Sequence, residues 1–225
     1  MALGLAAVLA VVLAAGSPEA VAAQSAPGGT ALDRFLEGLS SWQADFSQSV
    51  VDAAGKELET GAGALVVRRP GRFRWEYNPQ GGSAQLLVAD GTNLWYYDRD
   101  LAQATVKPAA AALTATPIVL LSGSAAEVRA AFTIIAVGGT KERGGADSPA
   151  VLSWVAVTPR SATADFSSAE LGFHGAQLER LVVHDRLNQT LTLRFTGSAR
   201  NARIDDARLH FAPPVGVDVI GTAQP

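Results

Sequence analysis

The side chains best able to move protons or hold a metal are three histidines, His174, His184 and His210, and their spacing argues against both roles. None stands in an H-x-x-x-H or H-E-x-x-H pattern, the spacing that presents two imidazoles to one ion. His184-Asp185 could orient an imidazole, but acid-base work on a substrate also needs a nucleophile or a metal, and Arg186-Leu187-Asn188 after it reads as a turn. Structural or surface roles are expected for all three. No G-x-S-x-G, G-x-x-x-x-G-K-[ST] or G-x-G-x-x-G stretch supplies the supports of acyl transfer or nucleotide chemistry. The chain contains no cysteine, which removes thiol nucleophiles, disulfides and thiolate metal sites. An enzyme is the minority reading, with no catalytic residue, cofactor or metal expected, and a hydrolase built on His184 and Asp185 is its best form.

What remains unusual is the cationic and aromatic segment Arg68-Arg69-Pro70-Gly71-Arg72-Phe73-Arg74-Trp75. Pro70-Gly71 breaks a strand, and the residues after it alternate, with Phe73, Trp75 and Tyr77 on one face and Arg72, Arg74 and Glu76 on the other. Alternation alone describes an ordinary strand with a core face and a wet face. The elements around it decide whether more is at stake.

Thr30 reads as an N-cap with Asp33 three residues on, and Leu32, Phe35, Leu36 and Leu39 recur at helical spacing, which predicts an amphipathic helix over residues 32 to 41. From Trp42 the period changes to two, through Ala44, Phe46, Gln48 and Val50, and a turn at Asp52 to Gly55 leads to a returning strand, Glu57 to Arg69. Short strands follow at Gln85 to Ala89 and Leu94 to Tyr97, around the hairpin signal Asp90-Gly91. Two short helices are expected between Pro117 and Phe132, with Thr116 as an N-cap. Strands resume at Thr133 to Val137, Val151 to Thr158, Ala169 to Phe173, Gln177 to Val183 and Thr190 to Thr196, and a last one is expected at Arg208 to Phe211. The predicted class is α+β, mainly antiparallel β, as a large and strongly curved sheet nearer a half-open barrel than a flat sheet. Apolar helices at both places would cover its concave side and make a lined cavity under a movable lid, a space suited to acyl chains.

The ends and the charge bound where such a protein works. Met1 to Ala15 is an uncharged apolar run too short to span a bilayer, and small residues at Val21-Ala22-Ala23 complete a secretory leader, so 1–23 is expected to be removed and 24–225 to form a single domain. With no cysteine after the leader, the protein is not expected to be lipidated itself. A formal net charge of -3 argues against nucleic-acid binding, which needs several phosphates neutralised. Partners are expected among proteins and lipids, and the oligomeric state is expected to be a monomer.

Read in order, Phe46-Ser47-Gln48, Gly61-Ala62-Gly63, Arg69-Pro70-Gly71-Arg72-Phe73-Arg74-Trp75, Ala89-Asp90-Gly91, Leu94-Trp95, Thr116-Pro117 with Leu120-Leu121, and Pro213-Pro214-Val215-Gly216-Val217 resemble the LolA-like outer-membrane lipoprotein carriers over nearly the whole mature chain. The resemblance implies an unclosed β-barrel with a lid of short α-helices over an apolar cavity, in the periplasm. It implies acceptance of lipoproteins from an inner-membrane ABC transporter and delivery to an outer-membrane lipoprotein receptor. It carries over to Arg69, the arginine before the proline, a role in holding the lid shut, with Arg68 as a neighbouring cation. Phe73 and Trp75 match the aromatic positions, and Leu36, Phe46, Phe73, Trp75, Trp95, Ile118, Leu120 and Leu121 form the implied acyl-chain cavity and lid. Residues 141 to 149 read as a local insertion. A carrier of the same fold for another lipid or glycolipid, and a periplasmic protein-binding adaptor without a cavity, are the remaining alternatives.

Overall fold

The computed structural model describes residues 29–110, 117–141 and 151–225; the leader, Thr116 and the insertion after Lys141 lie outside the described residues. The chain enters through helix α1 (Ala31–Leu36), then passes through strands β1 (Ser41–Val51), β2 (Glu57–Arg68), β3 (Arg72–Pro79), β4 (Gln85–Ala89), β5 (Asn93–Asp98) and β6 (Gln103–Pro108). Helices α2 (Val119–Ser122) and α3 (Ala125–Ala131) interrupt the sheet. It resumes with β7 (Phe132–Lys141), β8 (Val151–Pro159), β9 (Phe166–His174), β10 (Gln177–Asp185), β11 (Thr190–Arg200) and the short β12 (Asp218–Ile220). Among the described residues these strands form one sheet in the order β12-β6-β5-β4-β3-β2-β1-β11-β10-β9-β8-β7, with β12 and β7 as free edges. All pairs are antiparallel except β12 with β6.

Period-two alternation decides which face is inside. Trp42, Ala44 and Phe46 of β1, Leu65 and Val67 of β2, and Phe73 and Tyr77 of β3 share one buried cluster with Leu171 and Phe173 of β9 and Leu193 and Phe195 of β11. One face of one sheet thus surrounds a common interior, the signature of strong curvature. The Phe35 ring of α1 sits in that interior, 5.9 Å from Trp42 edge-on and 5.7 Å from Phe173, and Trp42 meets Phe195 at 5.0 Å.

Helix α1 starts as its sequence dictates. Thr30 Oγ1 accepts the Asp33 amide at 3.2 Å, and Asp33 Oδ2 accepts the Thr30 amide at 2.8 Å, a reciprocal capping box. Its end is earlier than the expected residue 41: the C-cap Glu37 already leaves the helical region at φ -64, ψ 124, Gly38 turns the chain at φ +60, and the backbone is extended by Ser41.

The outer face departs from expectation more. Over β2 to β6 it is clad by the C-terminal segment: Ile204 and Leu209 cover Val66, and Phe211 covers Val88, Ala104 and Val106. Residues Arg208 to Phe211 do not form the expected strand. Asp206–Leu209 is a 3-10 turn capped by Asp205, and Pro213-Pro214, which lack the amides a ladder needs, separate it from the short β12. Trp95, expected in the cavity, belongs to this outer cluster at 5.6 Å from Phe211. The β5 register pairs Leu94 with Ala89 and Trp95 with Val88, and side chains alternate, so Leu94 faces in where Trp95 faces out.

At Gly61 and Gly63 β2 has no room for a side chain beside β3. A Cβ on Gly63 would stand 1.9 Å from the Glu76 carbonyl oxygen and 2.6 Å from the Phe46 ring. Gly63→Ala is therefore expected to destabilise the fold by roughly 1–3 kcal/mol, the cost of overpacking a filled site. Urea unfolding checks this, with Ala62→Val on the exposed position beside it expected to leave the midpoint nearly unchanged.

Candidate functional site

Three short helices meet at the turn between β2 and β3. The last carbonyls of any helix lack partners within it, and a cation is favourable there. Arg69 supplies both at once. Its Nε donates to the Gly123 carbonyl at 2.8 Å, between α2 and α3, and one terminal nitrogen donates to the Leu36 carbonyl at 3.0 Å and the Leu39 carbonyl at 3.4 Å, at and beyond the end of α1. Two residues on, the Gly71 amide donates to the Ser122 carbonyl at 2.8 Å, the last residue of α2. Burial works against the charge on Arg69 and the Glu127 carboxylate works for it; an arginine stays protonated in either case. Arg68 turns the other way and pairs with Asp206 on the outer face. Geometry thus separates two adjacent arginines that sequence treats alike.

The remaining carbonyls around the end of α1 are met from β11 and the residue after it. One Arg200 nitrogen donates to the Phe35 carbonyl at 2.9 Å and the Glu37 carbonyl at 3.1 Å, with the guanidinium 5.6 Å over the Phe35 ring, and Asn201 Nδ2 donates to the Gly38 carbonyl at 2.9 Å. Neither residue was expected at the site. No local signal marks Arg200, because what distinguishes it is a helix far away in the chain.

Beneath these helices lies a cavity of about 230 Å³ with an almost wholly apolar lining. Phe73, Trp75, Leu87 and Leu94 form one wall, Leu181, Val183, Leu191 and Leu193 the wall across the curve, and Pro117, Ile118 and Leu121 the roof. Of the expected cavity and lid residues, Phe73, Trp75, Ile118 and Leu121 come together here. Phe46 stands behind the wall with its ring 4.3 Å from Trp75, while Leu36 and Leu120 are buried in the core. Leu181, Val183, Leu191 and Leu193 went unassigned, although their alternation in Leu-Val-Val and Leu-Thr-Leu places each pair on one face. The two ionisable residues weighed for hydrolysis are engaged elsewhere. His184 Nδ1 lies 3.1 Å from Thr190 Oγ1, and Asp185 Oδ1 accepts the Leu187 and Gln189 amides at 2.8 Å each, closing the β10–β11 turn.

A family model described as outer membrane lipoprotein carrier protein LolA matches residues 37–212. An outer-membrane lipoprotein carrier protein of Dechloromonas aromatica is 34% identical over 190 residues, 84% of this chain and 86% of that one. One from Xanthomonas oryzae pv. oryzae is 35% identical over 219 residues, 97% of both. Among solved structures, an uncharacterised conserved protein from Thermus thermophilus aligns at TM-score 0.54 and 18% identity, covering 84% of this chain and 96% of that one, a likeness of fold alone.

The inward parity of β5 has a direct test. Leu94→Trp fills the cavity and is expected to weaken binding of a fluorescent fatty-acid probe about tenfold or more, a loss near 1.4 kcal/mol. Trp95→Phe keeps the ring that packs on Phe211 and is expected to leave probe binding unchanged; equal effects of the two in fluorescence titration would reverse the assignment.

Proposed function

The chain belongs to the LolA family of outer membrane lipoprotein carrier proteins, and from that membership we propose that it carries lipoproteins across the periplasm with their acyl chains under the lid. In this reading it is not an enzyme. It receives cargo from an inner-membrane ABC transporter and passes it to an outer-membrane receptor, working as a soluble monomer. Such a task needs a carrier, because each buried CH2 contributes about 0.8 kcal/mol, and a sixteen-carbon chain left in water costs on the order of 12 kcal/mol.

The observation that supports the reading best is the contrast between the lid and what it covers. The cavity, at about 230 Å³, is smaller than the roughly 300–1,000 Å³ of pockets that hold drug-sized ligands. A lipoprotein's chains do not fit beneath a lid closed in this way, so loading requires the lid to lift, and lifting breaks the Arg69 hydrogen bonds to Gly123, Leu36 and Leu39. A ligand shifts a conformational equilibrium only by its difference in affinity for the two states. Interactions that exist only in the empty, closed state therefore weaken acyl binding by their own worth and make delivery to a tighter receptor downhill. Arg69 is the latch in this account.

Two experiments test it. A photoreactive amino acid at Phe73 is expected to crosslink to lipoprotein in the periplasm, and recovery of none would count against the cargo. Arg69→Leu is expected to load lipoprotein at least as well as the parent and to release it to acceptor membranes several-fold more slowly. Release at the parental rate would remove Arg69 from the mechanism.

A further inference from the structure

Arg69 ties the lid together at one end, joining the C-terminal end of α1 to Gly123, just ahead of α3. A second tie joins the other ends of the same two helices. Arg129, in the last turn of α3, places a terminal nitrogen 2.6 Å from Asp33 Oδ1, in the first turn of α1. We propose that Asp33 and Arg129 form a second, ionic latch of the lid, so that α1 and α3 are fastened at both ends and loss of this pair lets the lid open more often even with Arg69 intact. The inference rests on the lid opening proposed above.

Three features carry it. The pair spans α1 and α3, so it holds only while they lie side by side. Asp33 is already fixed for a different reason: its Oδ2 is occupied by the Thr30 amide at 2.8 Å and the Thr30 hydroxyl at 2.9 Å, which leaves Oδ1 aimed outward. An exposed ion pair is ordinarily worth little because two flexible side chains must be ordered; here the capping box has ordered one of them. The pair also lines a pocket of about 340 Å³ together with Phe132 and Ile134 of β7 and Arg160. The Arg129 side chain is 64% exposed. Salt therefore weakens this latch, whereas the Arg69 latch, half-buried and bonded to neutral carbonyls, resists salt.

The absence of cysteine from the chain supplies the test. Leu121→Cys puts one thiol in the buried part of the cavity roof, and its labelling rate by a water-soluble thiol reagent reads lid opening, with Leu178→Cys in the core as the reporter of global unfolding. Arg129→Gln, which leaves the capping box untouched, is expected to raise labelling at Leu121→Cys about two- to fivefold at low salt, the range open to an exposed pair. One molar sodium chloride is expected to raise the parental rate toward that of Arg129→Gln and to leave Arg129→Gln itself unchanged. Asp33→Asn, which also weakens the capping box, is expected to raise labelling at least as much as Arg129→Gln, and the double variant to match Asp33→Asn alone. If Arg69→Leu speeds labelling while Arg129→Gln does not, the second latch is wrong and the lid stands; if neither does, the lid reading itself fails. A rise with Arg129→Gln that salt does not reproduce would show that the contact is not ionic.

Discussion

Everything proposed for this molecule depends on one guanidinium group that donates to carbonyls at the ends of two separate helices at once. The lid helices contain six, four and seven residues. Isolated helices shorter than about 12–15 residues are marginal in water, so none of these holds its shape unaided. Capping boxes sustain α1 and α3, α2 has no side-chain cap, and all three press apolar side chains into the barrel. Arg69 serves Gly123, Leu36 and Leu39 from a single turn, so α1, α2 and α3 share a point of attachment there, beside the ties that Arg200 and Asn201 make to the end of α1. In the proposed mechanism such a lid is cheap to open, because little secondary structure stability is intrinsic to it.

The sheet supplies what the lid lacks. Long strands, a contiguous aromatic interior and close glycine-to-backbone contact at Gly63 make the curved wall stiff. The wall is also reinforced from outside: Ile204, Leu209 and Phe211 from the C-terminal segment cover the face that would otherwise be wet across β2 to β6. A rigid, doubly covered wall with a weakly held roof concentrates motion where cargo has to enter, the arrangement expected when local stability is unevenly distributed.

How much of this could be read from the chain follows from the range of each interaction. The capping box at Thr30 and Asp33, the break at Pro70-Gly71 and the inward set Phe73, Trp75 and Tyr77 are encoded within a few residues and were legible. Where a single residue of register decides, pattern fails: Leu94-Trp95 presents two apolar candidates, and only pairing with Ala89 and Val88 assigns Leu94 to the cavity. Arg208 to Phe211 alternates like a strand yet forms a 3-10 turn, since what buries Leu209 and Phe211 is the back of a sheet formed by far earlier residues. Arg200 and the Asp33–Arg129 pair were illegible for the same reason, their meaning lying in partners 96 to 165 residues away.

The Gly71 amide, bonded to the Ser122 carbonyl beside Arg69, is the natural reporter of the latch. Its hydrogen exchange, followed in the empty protein and again with a triacylated lipoprotein bound, measures directly whether cargo and closed lid exclude each other. The account predicts that loading accelerates exchange at Gly71 and through Leu120 to Gly123 while the β1–β11 amides stay protected. Equal or greater protection of Gly71 in the loaded protein would contradict it.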